Sequence, residues 1–402
     1  MKKLLLVVFA NLLFAFCVAQ IPNIAEGPYV EYGKNSVFVR SIDPGNSLLI
    51  DSISLSEKEH LSVIVRFSNH KDWDFSVPVR AEIRNEPDIW REPKKLIAFS
   101  DIEGEFEPFR RMLIANGVID EKYNWIFGKG HLLICGDLFD RGKDVAAYLW
   151  LLYKLEDEAK IKGGYVHTIL GNHDIMNLSG DFRYVQQKYF ERAKRMGVAY
   201  LELYGPDTEL GRWLRSKNII EKIGDNLCLH GGISPEILAL QWPVIKINRE
   251  CRPYYDQGMH PEKFEDKDLW KFFDGRNISP FWYRGYFLEP FASQGLVDST
   301  LSFYKTRRII VGHDIIDSVA AFYQRKILGI DVNEHEGNAQ GLLIKGNDIY
   351  KIDLSGKKQK LFQQNPLVEN NINSDENPRD RDQSGWIIIP VAGRKKISIP
   401  AD

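Results

Sequence analysis

Apolar and polar positions fall into several textures along the chain. Between Gly27 and about Ile83 they alternate over short runs, Ser36-Val-Phe-Val-Arg40, Leu61-Ser-Val-Ile-Val-Arg66 and Phe75-Ser-Val-Pro-Val79, separated by Pro, Gly, Asn and Ser. A period of two bounded by turn residues predicts strands, so residues 20–92 are read as a small accessory β unit. From Leu96 to Ile352 short apolar runs alternate instead with longer segments, Phe106–Ala115 and Val145–Ala159, whose apolar residues recur at helical spacing. That alternation predicts a layered α/β domain over residues 93–355. Within it, Trp242–Phe303 is dense in aromatics, among them Tyr254, Tyr255, Trp270, Phe272, Phe273, Phe281, Trp282 and Tyr283. These rings form either a lid over a site or the core of a helical insertion. Leu342–Ile352 reads as a closing hairpin with Gly346-Asn347 at its turn. Residues 356–402 read as a polar tail, with Asn365–Gly385 a linker and Trp386–Ile399 a possible last strand.

The two ends of the charge ledger change this picture little. Lys and Arg number 53 and Asp and Glu 55, a formal net charge of -2, so neither a nucleic-acid-binding surface nor an acidic solvating tail is implied. The N-terminus changes it more. Met1-Lys2-Lys3 precedes an almost unbroken apolar run, Leu4–Ala19, that is short for a membrane span and gives way to Gln20. Residues 1–19 are read as a cleaved secretory signal peptide, leaving a periplasmic or secreted protein with no stable membrane span. Cys135, Cys228 and Cys251 then remain, an odd count without disulfide or zinc spacing, and Cys135 and Cys228 sit in apolar runs as buried small hydrophobes.

Candidate chemistry lies at the ends of five apolar runs: Leu96-Ile-Ala-Phe-Ser-Asp101, Leu132-Leu-Ile-Cys-Gly-Asp137, Thr168-Ile-Leu-Gly-Asn172-His173, Leu227-Cys-Leu-His230 and Ile309-Ile-Val-Gly-His313. Taken singly, an Asp after a strand is a turn or helix cap and a His there is a satisfied polar residue. As strands of one domain, the five could gather Asp101, Asp137, Asn172, His230 and His313 into one pocket at their carboxyl ends. Oxygen and imidazole donors without thiolates suit Mn, Fe, Zn or Mg better than a structural zinc.

These runs carry Gly136-Asp-Leu-Phe-Asp-Arg-Gly142, Gly171-Asn-His-Asp174, His230-Gly-Gly232 and Gly312-His313, and through them the chain resembles the calcineurin-like metallophosphoesterases, in their protein-phosphatase branch. Asn177-Leu-Ser-Gly-Asp-Phe-Arg-Tyr184 and Trp282-Tyr-Arg-Gly285 resemble more particularly the Shewanella-like protein phosphatases. The resemblance implies a β-sandwich core flanked by helices and two divalent metal ions. It implies that Asp137 bridges them, with Asp101 and Glu103 on the first and Asn172, His230 and His313 on the second. A hydroxide between the metals would attack a phosphoryl group in line. His173 would protonate the leaving oxygen with Asp140 fixing its tautomer, and Arg141 and Arg284 would clamp the phosphate, with Arg183 a further candidate.

One motif departs from the family. Where Asp-x-His-Gly is usual, this chain has Asp101-Ile-Glu103-Gly104. A carboxylate in place of an imidazole makes the first site more anionic and harder, favouring Mn, Mg or Ca over softer ions. If Glu103 cannot reach the metal, the site is degenerate instead. A second His past His313 is also absent, as in the protein-phosphatase branch. The other histidines, His60, His70, His131, His167, His260 and His335, are read as structural or surface residues. The expected function is an exported, metal-dependent phosphatase acting on phosphomonoesters of proteins or small molecules. The alternatives are a phosphodiesterase or dinucleotide-polyphosphate hydrolase, and a non-catalytic phosphate- or metal-binding module.

Overall fold

The structure is a computed structural model that describes residues 25–260, 263–333 and 337–361. The expected signal peptide, the stretch beyond residue 361 with Trp386–Ile399, and His335 lie outside the described residues. The N-terminal part contains β1 (Glu26–Tyr32), β2 (Ser36–Ile42), β3 (Leu48–Ser54), β4 (Ser62–Val65) and β5 (Phe75–Pro78). The chain continues through β6 (Ile89–Trp90), β7 (Lys95–Phe99), α1 (Phe106–Ala115), β8 (His131–Cys135), α2 (Val145–Ile161), β9 (Tyr165–Ile169), α3 (Asn172–Ser179), α4 (Gln187–Arg195) and α5 (Glu209–Arg215). After β10 (Ile220–Ile223) and β11 (Asn226–Leu229) come α6 (Pro235–Ala239), α7 (Val244–Cys251), α8 (Lys267–Trp270) and α9 (Gln294–Tyr304). The remainder is β12 (Arg308–Val311), β13 (Ala320–Phe322), β14 (Ile327–Gly329), β15 (Gln340–Lys345), β16 (Asp348–Asp353) and β17 (Lys358–Lys360).

Two six-stranded sheets form the core, in the orders β17-β16-β15-β7-β8-β9 and β13-β14-β12-β11-β10-β6. In the first, β7, β8 and β9 are parallel; in the second, β11, β12 and β14 are parallel. The parallel strands are buried almost throughout, as strands covered on both faces must be. His167 on β9 meets Glu221 on β10 at 2.7 Å, and the Cys135 carbonyl at the end of β8 meets His230 after β11 at 2.7 Å, so the sheets stack face to face. This is the expected α/β sandwich. The five apolar runs are all strands of it, divided between its two layers.

β1, β2 and β3 form a separate antiparallel sheet and β4 pairs with β5. Ile89–Trp90, inside the stretch read as accessory, instead pairs with β10 in the second core sheet. The accessory strands lie over α2: the Trp150 indole N–H donates to the Pro28 carbonyl at 2.8 Å, and the Arg80 amide donates to the Tyr153 hydroxyl at 2.7 Å. Covered on one side by β9 and on the other by these strands, α2 is buried nearly all round rather than on a single stripe. The hairpin closes as expected, with Lys345 paired to Asp348 across Gly346-Asn347, and β17 extends it by one strand into the stretch read as tail.

The aromatic segment resolves in favour of a helical insertion for most of its rings. Tyr255, Phe272, Phe273, Phe281, Tyr283, Tyr286 and Phe287 are buried among one another and the adjoining core. Trp282 is half-buried and stands edge-on to the His313 ring, with centroids 5.8 Å apart. All three described cysteines are free and buried. No described helix is long and apolar enough to cross a membrane.

Candidate active site

β7, β8 and β9 end side by side in one layer and β11 and β12 in the other, so the turns that leave them meet between the sheets. Those turns are sharp. Asp101, Glu103, Asp137, Asp140, Arg141 and His313 all have positive φ, at 56°, 47°, 53°, 82°, 22° and 69°. Such conformations cost non-glycine residues on the order of 1–3 kcal/mol each and persist where surrounding structure over-determines them, as in active sites. Two glycines make the approach possible. A Cβ on Gly136, itself at φ +90°, would come within 2.5 Å of the His230 ring, and one on Gly312 would overlap the Ser100 and Asp101 side chains.

Asp137 stands at the centre. Its carboxylate shares one group of converging donor atoms with His230 and His313 and another with Glu103 and His173; within each group the donor atoms lie within 4.8 Å of one another. A carboxylate common to two donor groups is what a bridging ligand requires. The Asn172 side-chain oxygen lies 2.8 Å from His230 Nε2, which in turn lies 3.3 Å from Asp137 Oδ2. His230 donates its Nδ1–H to the Cys135 carbonyl at 2.7 Å, leaving Nε2 as the ring's inward face, the orientation expected of a metal-ligating imidazole. His313 Nε2 is buried and has no hydrogen-bond partner among the described residues. A buried orphan acceptor beside carboxylates is costly unless something binds it. The site therefore fits divalent cations: Asp137, Asn172, His230 and His313 would hold one, and Asp137 with Glu103 the other.

Asp101 belongs to neither converging group; its Oδ2 accepts from the Ser100 hydroxyl and, at 3.1 Å, from the His313 amide. Glu103 does reach the centre. It is buried, lies 3.8 Å from His173 Nε2 and forms an ion pair with Arg141, whose guanidinium is half-exposed. Arg284 sits beside the His230 and His313 group, bound at 2.6 Å to Asp314, the residue after His313. Arg183 is turned to Asp181, which it grips through Nε and Nη2 at 2.8–3.1 Å.

His173 donates from Nδ1 to Asp140 Oδ2 at 2.6 Å, so its Nε2 faces the donor cluster, 3.8 Å from Asp137. Sequence reasoning missed what holds Asp140. Its other oxygen accepts from Asn177 Nδ2 at 2.8 Å, and Asn177 Oδ1 accepts from the Tyr200 hydroxyl at 3.0 Å. Asn177 lies four residues after His173 on α3, a spacing that puts both on one helix face. Asp174 was also missed: its buried carboxylate takes the Gly171 and Leu138 amides at 2.7 and 2.8 Å and ties two site loops together.

Burial and mutual charge set the site's electrostatics. Burial alone would raise Asp137, but His230 and His173 bring it down to about 2. Burial would lower His230, but Asp137 and Asp101 push it up to about 10. Asp101 is raised, first by burial, and His313 is held well below the usual imidazole range by burial and then by Arg284. Opposite shifts on adjacent groups in one cleft mark a functional site.

The family description "Calcineurin-like phosphoesterase" matches residues 94–317. Shewanella-like protein phosphatase 2 of Arabidopsis thaliana is 25% identical over 369 residues, covering 78% of this chain and 88% of that protein. Shewanella-like protein phosphatase 1 of Plasmodium berghei is 29% identical over 229 residues, covering 54% of this chain and 60% of that one. Among solved structures, the cold-active protein-tyrosine phosphatase of a psychrophilic Shewanella species superposes with a TM-score of 0.74 at 34% identity, covering 84% of this chain and 99% of that one. The chain thus belongs to the calcineurin-like phosphoesterase family, in its protein-phosphatase branch, and is a binuclear-metal phosphoester hydrolase.

Proposed function

We propose that this chain is an exported, manganese-dependent phosphatase that hydrolyses phosphomonoesters, with phosphotyrosine in proteins as its substrate class. The observation that carries the reading is His173, whose Nε2 faces Asp137 and Glu103 at 3.8 Å while Nδ1 is fastened to Asp140. A proton donor fixed against the metal-binding donors suits an ester whose leaving oxygen must be protonated as the P–O bond breaks. Bound divalent cations would supply a water nucleophile at neutral pH and offset charge on the phosphoryl oxygens. Arg141 and Arg284 orient the phosphate through planar guanidinium groups. Asp140 holds the His173 ring and balances its charge when protonated. The carboxylate pair of Glu103 and Asp137 favours a hard ion, hence manganese. The tyrosine preference follows the Shewanella enzyme and the Trp282 ring that stands edge-on to His313. Lys2-Lys3 followed by Leu4–Ala19 supports export.

The test compares para-nitrophenyl phosphate with bis-para-nitrophenyl phosphate on the manganese-loaded protein. A monoester preference of at least about tenfold supports the reading, and a diester preference moves it to the phosphodiesterase alternative. Recovery of the protein in the cytosolic fraction of its own cells would remove the export part.

A further inference from the structure

α3 ends at Gly180, and the chain returns across the mouth of the site as residues 181–186. This return is fastened at both ends. At its start the Asp181 amide donates to the Met176 carbonyl at 2.9 Å, and at its end the Gln186 side-chain amide donates to the carbonyl of Arg141 and, at 3.2 Å, to that of Gly142. Between these anchors Tyr184, half-buried, lays its ring 4.9 Å from the His173 ring and 5.2 Å from the Arg141 guanidinium carbon, centroid to atom.

We infer that Tyr184 is a specificity-determining residue, the wall against which an aromatic leaving group packs. The inference rests on the proposed monoesterase reading and deepens it. His173 Nε2 fixes where the leaving oxygen lies and Arg141 helps fix the phosphate, so the group attached to that oxygen departs past the Tyr184 ring, which contacts both. An aryl group there gains an aromatic face contact. An alkyl group of phosphoserine type, with its ester carbon saturated and no ring, gains little. The 181–186 return was singled out in sequence only as part of a motif, and the residues assigned to metal binding and proton transfer leave Tyr184 without a role.

The experiment measures kcat/KM of manganese-loaded wild type, Tyr184→Leu and Tyr184→Phe on phosphotyrosyl and phosphoseryl versions of one peptide, with the inhibition constant of orthophosphate. The expected result is a loss on the order of tenfold on the phosphotyrosyl peptide in Tyr184→Leu, carried by KM. The phosphoseryl rate and orthophosphate inhibition stay unchanged, and Tyr184→Phe keeps the aryl preference. Equal losses on both peptides, or weakened orthophosphate binding, would mean that Tyr184 acts through Arg141 or the fold and would overturn the inference. An active wild type whose aryl preference survives Tyr184→Leu overturns it alone. A wild type that hydrolyses para-nitrophenyl phosphate but neither peptide overturns the phosphoprotein substrate class with it.

Discussion

His173 has two nitrogens in different surroundings: Nδ1 is spent on Asp140 and Nε2 faces Asp137 and Glu103, where the proposed mechanism needs a proton donor. Removing the ring therefore costs proton transfer to the leaving group and leaves phosphate binding in place. His173→Asn is expected to lower kcat by about 10²–10⁴-fold on phenyl phosphate, the usual worth of a general acid. The loss should be much smaller on para-nitrophenyl phosphate, whose leaving oxygen needs little protonation. Equal losses on the two esters would show that His173 does not supply that proton. Asp140 depends in turn on Asn177 and Tyr200. Asn177 stands out in sequence only as the start of a motif and Tyr200 not at all, because a hydrogen-bond relay between a helix and a distant turn leaves no spacing signal beyond the four-residue step from His173 to Asn177.

At the level of elements, a buried ion network joins α2 to the segments before β6 and β10. Lys217 contacts Glu86 at 2.8 Å and Glu156 at 2.6 Å, and Arg80 also binds Glu156, at 2.9 Å. Removing one partner leaves the others buried and uncompensated, so Lys217→Met is expected to cost about 3–5 kcal/mol in urea unfolding. Burial would raise Glu86, but Lys217 above all carries it from the ordinary 4.5 down to about 2. A carboxylate depressed in the folded state adds stability that is complete above pH about 4.5 and is lost as pH falls toward 2. The wild type should thus lose stability between pH 5 and 3 more steeply than Lys217→Met; parallel slopes would remove Glu86 from the account. None of these charges stood out in sequence, where each resembles a surface residue. The strands that carry the metal donors did stand out, since β7, β8, β11 and β12 each hold a short apolar run, β9 ends on Thr168-Ile169 just before Leu170, and each is followed within a few residues by Asp, Asn or His. Their division between two sheets was not legible from the runs themselves and came only through family resemblance. β6, β13 and β14 span two or three residues each, too few for a period to register.

Across the whole molecule, two sheets bring five strand ends together; positive-φ turns after β7, β8 and β12, with the start of α3 and the end of β11, bring carboxylate, amide and imidazole donors to one centre. The accessory strands close over α2, so the helix behind that centre is enclosed by protein on both sides. Glu103, the departure from the family motif, lies inside the donor set and pairs with Arg141, which argues for a working site with a harder ion preference rather than a lost one. The decisive measurement is hydrolysis of a phosphotyrosyl peptide by chelator-stripped protein resupplied with Mn, Mg, Zn, Fe or Ca, beside Asp137→Asn. The expected result is activity restored by added ions, best by Mn, and reduced at least about 10³-fold in Asp137→Asn, since Asp137 is common to both donor groups and would serve both metals. Stoichiometric ion binding with no turnover under any metal, or undiminished turnover in Asp137→Asn, would contradict a two-metal hydrolase centred on Asp137.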